Sequence, residues 1–78
     1  MESLKALLYE EDRILNKVRY NGDMVVHFKQ AIDSGETDMK EYYKKEYNDF
    51  IIKRDESLHK LNEIRRQIKE YLEMLSNY

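Results

Sequence analysis

The chain of 78 residues contains no cysteine and no proline, and its only glycines are Gly22 and Gly35. Without cysteine it can form neither a disulfide nor a thiolate metal site. Domains of this size bury a small fraction of their surface, and they usually need disulfides, a metal or a partner to compensate. We therefore expect that association with another chain supplies the missing stability.

Long apolar runs are also missing. No stretch approaches the ~18–20 apolar residues that a membrane-spanning helix needs. Acidic residues at Glu10, Glu11 and Asp12 interrupt the start of the chain before the apolar core of a signal peptide can form. We therefore expect no membrane association and a cytoplasmic location, which a chain without cysteine also fits.

Charge of one sign does not dominate the chain, since the net charge is only −2. A near-neutral net charge does not indicate a strongly basic face, which argues against a nucleic-acid partner. Charged residues make up 38% of the sequence and hydrophobic residues 41%. Such a composition without proline is typical of long helices or coiled coils.

One segment, 33–38, interrupts the helical pattern. Gly35 suits the left-handed position that ends many helices, and Asp38 with Glu41 has the spacing of a capping box. The sequence therefore predicts an all-α fold: an antiparallel two-helix hairpin forming a single domain over residues 1–78. We expect the first helix over about 3–33, the turn at 34–37 and the second helix over about 38–77.

Apolar residues recur in both predicted helices at alternating steps of three and four, which is the a/d seam of a heptad repeat. In the first helix the seam runs through Leu4, Leu7, Glu11, Ile14, Val18, Asn21, Val25, Phe28 and Ile32. In the second it runs through Tyr43, Tyr47, Phe50, Arg54, Ser57, Leu61, Ile64, Ile68, Tyr71, Leu75 and Tyr78. A second apolar row, interrupted by Arg65, contains Leu8, Leu15, Ile51, Leu58 and Leu72.

The Asn21-Gly22 pair raises a question of continuity, because Asn-Gly is a strong turn signal. The seam keeps its phase on both sides of the pair, which favours one helix that is kinked or weakened at Gly22. The alternative has Gly22 ending one helix and Asp23 capping the next. That reading gives three helices, over about 3–20, 23–33 and 38–77.

Three polar residues on the seam, Glu11, Asn21 and Arg54, are predicted to set the register of the helices, as polar seam residues do in coiled coils. Folding the chain at Gly35 pairs residues whose numbers add up to about 71. That register places Phe28 near Tyr43 and Asn21 near Phe50. Glu11 and Arg54 are predicted to meet across a partner chain.

Two features indicate a partner. The second apolar row widens the stripe beyond what one hairpin can bury, and the second helix is longer than the first. We therefore expect two hairpins to pair as a homodimer in a four-helix bundle. The residues predicted to carry contacts are Tyr42, Tyr71, Leu72, Leu75 and Tyr78.

Motifs for catalysis are scarce. The chain has no glycine-rich phosphate loop and no His-Glu-x-x-His motif. His27 and His59 lie far apart in the predicted hairpin, so no cofactor, metal or small-molecule substrate is expected. The leading interpretation is a non-enzymatic protein–protein interaction module, such as a small adaptor, regulator or chaperone-like partner.

Two other functions stay open from the sequence. A nucleic-acid accessory factor would use Lys44, Lys45, Arg65 and Arg66, because lysine and arginine neutralise phosphates. A Mg²⁺-dependent all-α nucleotide hydrolase would use pairs of carboxylates spaced as in 46–49 and 70–73, since Mg²⁺ prefers oxygen ligands.

Overall fold

The computed structural model describes residues 3–35 and 38–77 and contains two helices there, α1 (Leu4–Ser34) and α2 (Lys40–Ser76). The two helices pack side by side in opposite directions, since contacts join early residues of α1 to late residues of α2. The molecule measures 62 × 17 × 14 Å. These observations confirm the all-α helical hairpin. No helix in the described part of the chain is long and apolar enough to cross a membrane.

The ends of α1 have clear physical causes. At its start, the Ser3 side chain accepts a hydrogen bond of 3.2 Å from the Ala6 backbone N–H, which satisfies one of the free amide groups of the first turn. At its end, Gly35 has a φ of 66° and its N–H donates to the carbonyl of Ile32. Because glycine adopts this left-handed conformation without steric cost, the helix stops there.

The start of α2 differs from the prediction. Met39, and not Asp38, precedes the first helical residue, and its carbonyl accepts the hydrogen bond of the Tyr43 N–H. The helix therefore begins two residues later than expected. The predicted turn residues Glu36 and Thr37 lie outside the described residues.

Helix α1 continues without a break through Asn21-Gly22. Within the described residues, 3–35 and 38–77, Gly35 is the single residue with positive φ. Gly22 therefore has ordinary helical geometry. The three-helix alternative is therefore wrong. The reason is tertiary: Asn21 and Val25 are both buried against α2, and that packing outweighs the local preference of Asn-Gly for a turn.

Replacing Gly22 with alanine is expected to raise the free energy of unfolding by about 1 kcal/mol, because alanine is the better helix former. An added Cβ would have no atom within 4 Å. Gly35→Ala is the matched control and is expected to lower stability by roughly 1–2 kcal/mol, because its φ is positive. Urea unfolding of dilute samples, followed by circular dichroism, measures both. A destabilising Gly22→Ala would contradict a continuous α1.

The core is a narrow seam between the helices. Its buried apolar side chains are Leu7, Ile14, Val25 and Phe28 from α1 with Phe50 and Leu61 from α2. It is densest near the turn, where the Phe28 ring lies 5.7 Å from Phe50 and 5.8 Å from Tyr43. The contact between Phe28 and Tyr43 was predicted. Two helices alone leave most other apolar side chains partly exposed.

Further from the turn, the register departs from the prediction. The Asn21 side chain donates to Ser57 Oγ at 3.3 Å, so these numbers add up to 78. Phe50, which was expected beside Asn21, has ring contacts with Tyr20 and Phe28. Part of the shift arises at the turn. Ser34 is the last residue of α1 and Lys40 is the first residue of α2. Their numbers add up to 74 and not 71, because the connection is longer than a tight turn centred on Gly35.

Candidate protein-interaction surface

The heptad positions separate the hairpin into two sides. The a and d positions of the seam face the other helix. The second apolar row occupies position e, next to a, and in an antiparallel pair the e positions of both helices lie along one side. The g positions, next to d, lie along the other side. We call the side that carries the e positions the apolar face. We define it by its aliphatic residues together with the neighbouring seam residue Leu75, near the C-terminal end of α2. These residues are Leu8, Leu15, Ile51, Leu58, Leu72 and Leu75.

The apolar face is open to solvent. Leu8, Leu72 and Leu75 are 47%, 49% and 48% exposed, and Leu58 is 37% exposed. Leu15 and Ile51 are half-buried. Scattered apolar residues are normal on a protein surface, but apolar residues that recur on one side of both helices are typical of an interaction site. A stripe this wide is what a helix presents inside a bundle.

The predicted contact residues lie at opposite ends of α2. Leu72 and Leu75 are exposed and Tyr71 is half-buried at the C-terminal end. Tyr42 is 50% exposed near the turn, about 40 Å away at 1.5 Å per residue. One chain therefore does not bring them into a single patch. Tyr78 lies outside the described residues.

Asn21 and Ser57 form the polar contact inside the seam. Both are only 9% exposed, and their hydrogen bond links α1 to α2. A buried polar pair of this kind favours one register, because sliding the helices would leave both groups without partners. Sequence reasoning identified Asn21 but did not assign Ser57 as its partner.

Glu11 has a different partner from the one predicted. Arg65 Nε donates to Glu11 Oε2 at 3.1 Å, which joins the two helices beside the apolar face. Arg65 was visible in the sequence as an interruption of the second apolar row. The predicted contact of Glu11 with Arg54 was expected between two chains, so a single chain does not test it.

The hydrogen-bond donors of the Arg54 guanidinium are incompletely satisfied. Its Nη2 lies 3.4 Å from Asp55 Oδ1, which is a weak contact. Its Nε is buried and has no hydrogen-bond partner among residues 3–35 and 38–77. A buried donor without an acceptor is costly, whereas the rest of this side chain, which is 36% exposed, is open to solvent.

The opposite side of the hairpin carries a cleft of about 590 Å³. Its floor contains the Asn21–Ser57 pair with Ile14 and Ile64, and charged side chains form its rim. The cleft is therefore polar and of mixed charge, unlike the apolar face. The charged residues that line it are Glu10, Arg13, Lys17, Lys53, Glu56, Lys60 and Glu63.

Two carboxylates at the surface have a lowered pKa. A hydrogen bond from Arg13 lowers the pKa of Glu10 below its ordinary value, and hydrogen bonds from Arg66 and Gln67 lower the pKa of Glu63. Because the folded-state pKa is lowered, their small stabilising effect is present above the ordinary pKa. It is lost as the pH falls through the lowered pKa.

The basic residues considered for nucleic acid have carboxylate neighbours. Arg66 forms ion pairs with Glu63 and Glu70, and Arg65 pairs with Glu11. Lys44 lies 3.7 Å from Glu41. Each neighbouring carboxylate offsets the positive potential that phosphate binding requires.

The described residues hold no group of three or more His, Asp or Glu side chains placed to bind a metal ion. The His27 ring packs against Phe28 at 5.1 Å. No family model, curated protein or solved structure matches this chain. The function must therefore be inferred from its own surfaces.

Proposed function

We propose that the protein is a non-enzymatic protein–protein interaction module that associates with itself through the apolar face. Two hairpins packed on this face form a four-helix bundle, in which each hairpin supplies two antiparallel helices. The module then acts as a small helical adaptor, regulator or chaperone-like partner, in the cytoplasm and without a cofactor.

The exposure of the apolar face carries this proposal. Four leucines, Leu8, Leu58, Leu72 and Leu75, are 37–49% exposed, while only six apolar residues are buried in the described chain. Fully burying an exposed leucine gains about 1.5–3 kcal/mol, so covering a leucine that is already half-buried gains about half of that. A molecule with so small a core therefore gains a large share of its stability by covering this face.

The charge distribution supports a protein partner over a nucleic acid. Arg65, the arginine in the second apolar row, is paired with Glu11, so the face is apolar with a local ion pair. Steep dependence of nucleic-acid binding on salt concentration would support the accessory-factor alternative instead.

Sedimentation equilibrium of the unmodified chain tests the proposal. A mass of twice 9.6 kDa at ~100 µM supports self-association, since a complex held by this face forms at high concentration.

A further inference from the structure

We infer that the second copy docks on the apolar face in the antiparallel orientation, so that the turn of each hairpin lies at the open end of its mate. In this arrangement Arg54 of each chain lies beside Glu11 of the other. The inference rests on the proposed self-association and adds its orientation and its specific polar contact.

The unequal lengths of the helices give the first argument. The buried Asn21–Ser57 pair, whose residue numbers add up to 78, places Leu4, the first residue of α1, level with about residue 74 of α2. Leu75 and Ser76 therefore extend beyond α1, and Leu75 is 48% exposed. In a parallel dimer the C-terminal ends of both α2 helices lie at the same end of the bundle, beyond the start of both α1 helices. An antiparallel mate lays the turn-proximal part of its α2 over Leu75 and Ser76.

The distribution of apolar residues gives the second argument. An antiparallel mate is related by a two-fold axis near the middle of α2, close to Lys60. That axis brings Ile51 of one chain near the level of Leu8 of the other, and Tyr47 near the level of Leu72. Each copy then covers apolar side chains of its mate with apolar side chains, as a closed two-fold interface requires.

The charges give the third argument, and it is the most specific. Along the axis of α2, Arg54 lies before Lys60, and the Glu11–Arg65 pair lies after it. The two-fold axis therefore brings the guanidinium of Arg54, whose side chain is 36% exposed and makes only a weak contact with Asp55, near the level of the Glu11 carboxylate of the mate. Arg65 binds Glu11 Oε2, which leaves Oε1 for a second cation.

The distance between spin labels tests the orientation directly. Since the chain has no cysteine, Asp33→Cys and Asn77→Cys each give a single attachment site, one at the turn and one at the open end. Pulsed dipolar measurements on the dimer are expected to give about 50 Å for each label, from about 30–37 residues of helix at 1.5 Å per residue. A parallel dimer gives about 20 Å, two helix diameters, for both.

A charge reversal tests the polar contact. R54E is expected to raise the dissociation constant of the dimer by at least about tenfold, because it brings two carboxylates together across the interface. R66E is the matched control. It makes the same charge change at an exposed residue that pairs with Glu63 and Glu70, and it is expected to change the constant less than about threefold.

The outcomes separate the two proposals. Label distances near 20 Å would overturn the antiparallel orientation while leaving self-association intact. Equal effects of R54E and R66E would overturn the contact between Arg54 and Glu11. A chain that stays monomeric in the labelling experiments would contradict the proposed function itself.

Discussion

Replacing Leu72 and Leu75 together with lysine is expected to convert the dimer into a monomer. Both leucines are about half exposed in the single hairpin and are covered in the proposed bundle. The double substitution removes this apolar burial and places four ammonium groups in the dimer interface, where charge is costly to desolvate. We expect the dissociation constant to rise by at least ~100-fold, about 2.7 kcal/mol. Light scattering after size exclusion measures the change in mass.

A matched control is available on the outer surface. Tyr9 and Ile52 are more exposed than the two leucines, at 74% and 56%, and they lie away from the apolar face. The double variant Tyr9→Lys with Ile52→Lys adds the same charge and is expected to stay dimeric. An unchanged mass for the Leu72 and Leu75 variant, or equal loss of mass in both, would contradict the assignment of the interface.

Leu61→Ala is expected to cost the most folding stability of any single substitution considered. Leu61 is 3% exposed, the lowest exposure in the seam, and it packs between the helices. Truncating a buried leucine removes its transfer free energy and leaves a cavity, which together cost about 2–5 kcal/mol. In a domain of this size that cost is a large fraction of the total free energy of unfolding. Urea unfolding followed by circular dichroism measures the loss.

Ile52→Ala provides the comparison for Leu61. Ile52 lies on the outer face of α2 and is 56% exposed, and alanine is the better helix former. We expect a change within about 0.5 kcal/mol, as for most surface substitutions. If Leu61→Ala costs no more than Ile52→Ala, the seam described here is not the core.

The helices were predictable from local physics. A continuous a/d seam without proline predicted two long helices, and Gly35 marked the end of the first because glycine tolerates positive φ. The Asn21-Gly22 pair was ambiguous, since its local preference and the seam pattern disagree. The structure resolves it in favour of the seam, because Asn21 and Val25 are buried against α2.

The pairing of side chains was less predictable. A fixed sum of residue numbers placed Phe28 beside Tyr43 correctly but missed the Asn21–Ser57 bond. The sum depends on the length of the connection and on where α2 begins, and the capping pattern at Asp38 gave the wrong first residue. Side-chain direction also matters, because long side chains such as Arg65 reach across several positions.

The candidate surface was partly visible in the sequence. The second apolar row identified Leu8, Leu58 and Leu72, and the structure leaves these residues exposed. The partner of Glu11 within the chain was not identified, because charged residues at the edge of a seam have several possible partners. The buried Nε of Arg54 depends on atomic packing, which a sequence pattern does not specify.

The most direct test of the account is the mass of the unmodified chain in solution as a function of concentration. Sedimentation equilibrium from ~1 to ~100 µM measures it, because mass action shifts a self-associating chain towards the complex. We predict a mass that rises to twice 9.6 kDa at the highest concentration. A mass of 9.6 kDa throughout would contradict the proposal that this hairpin acts by associating through its apolar face.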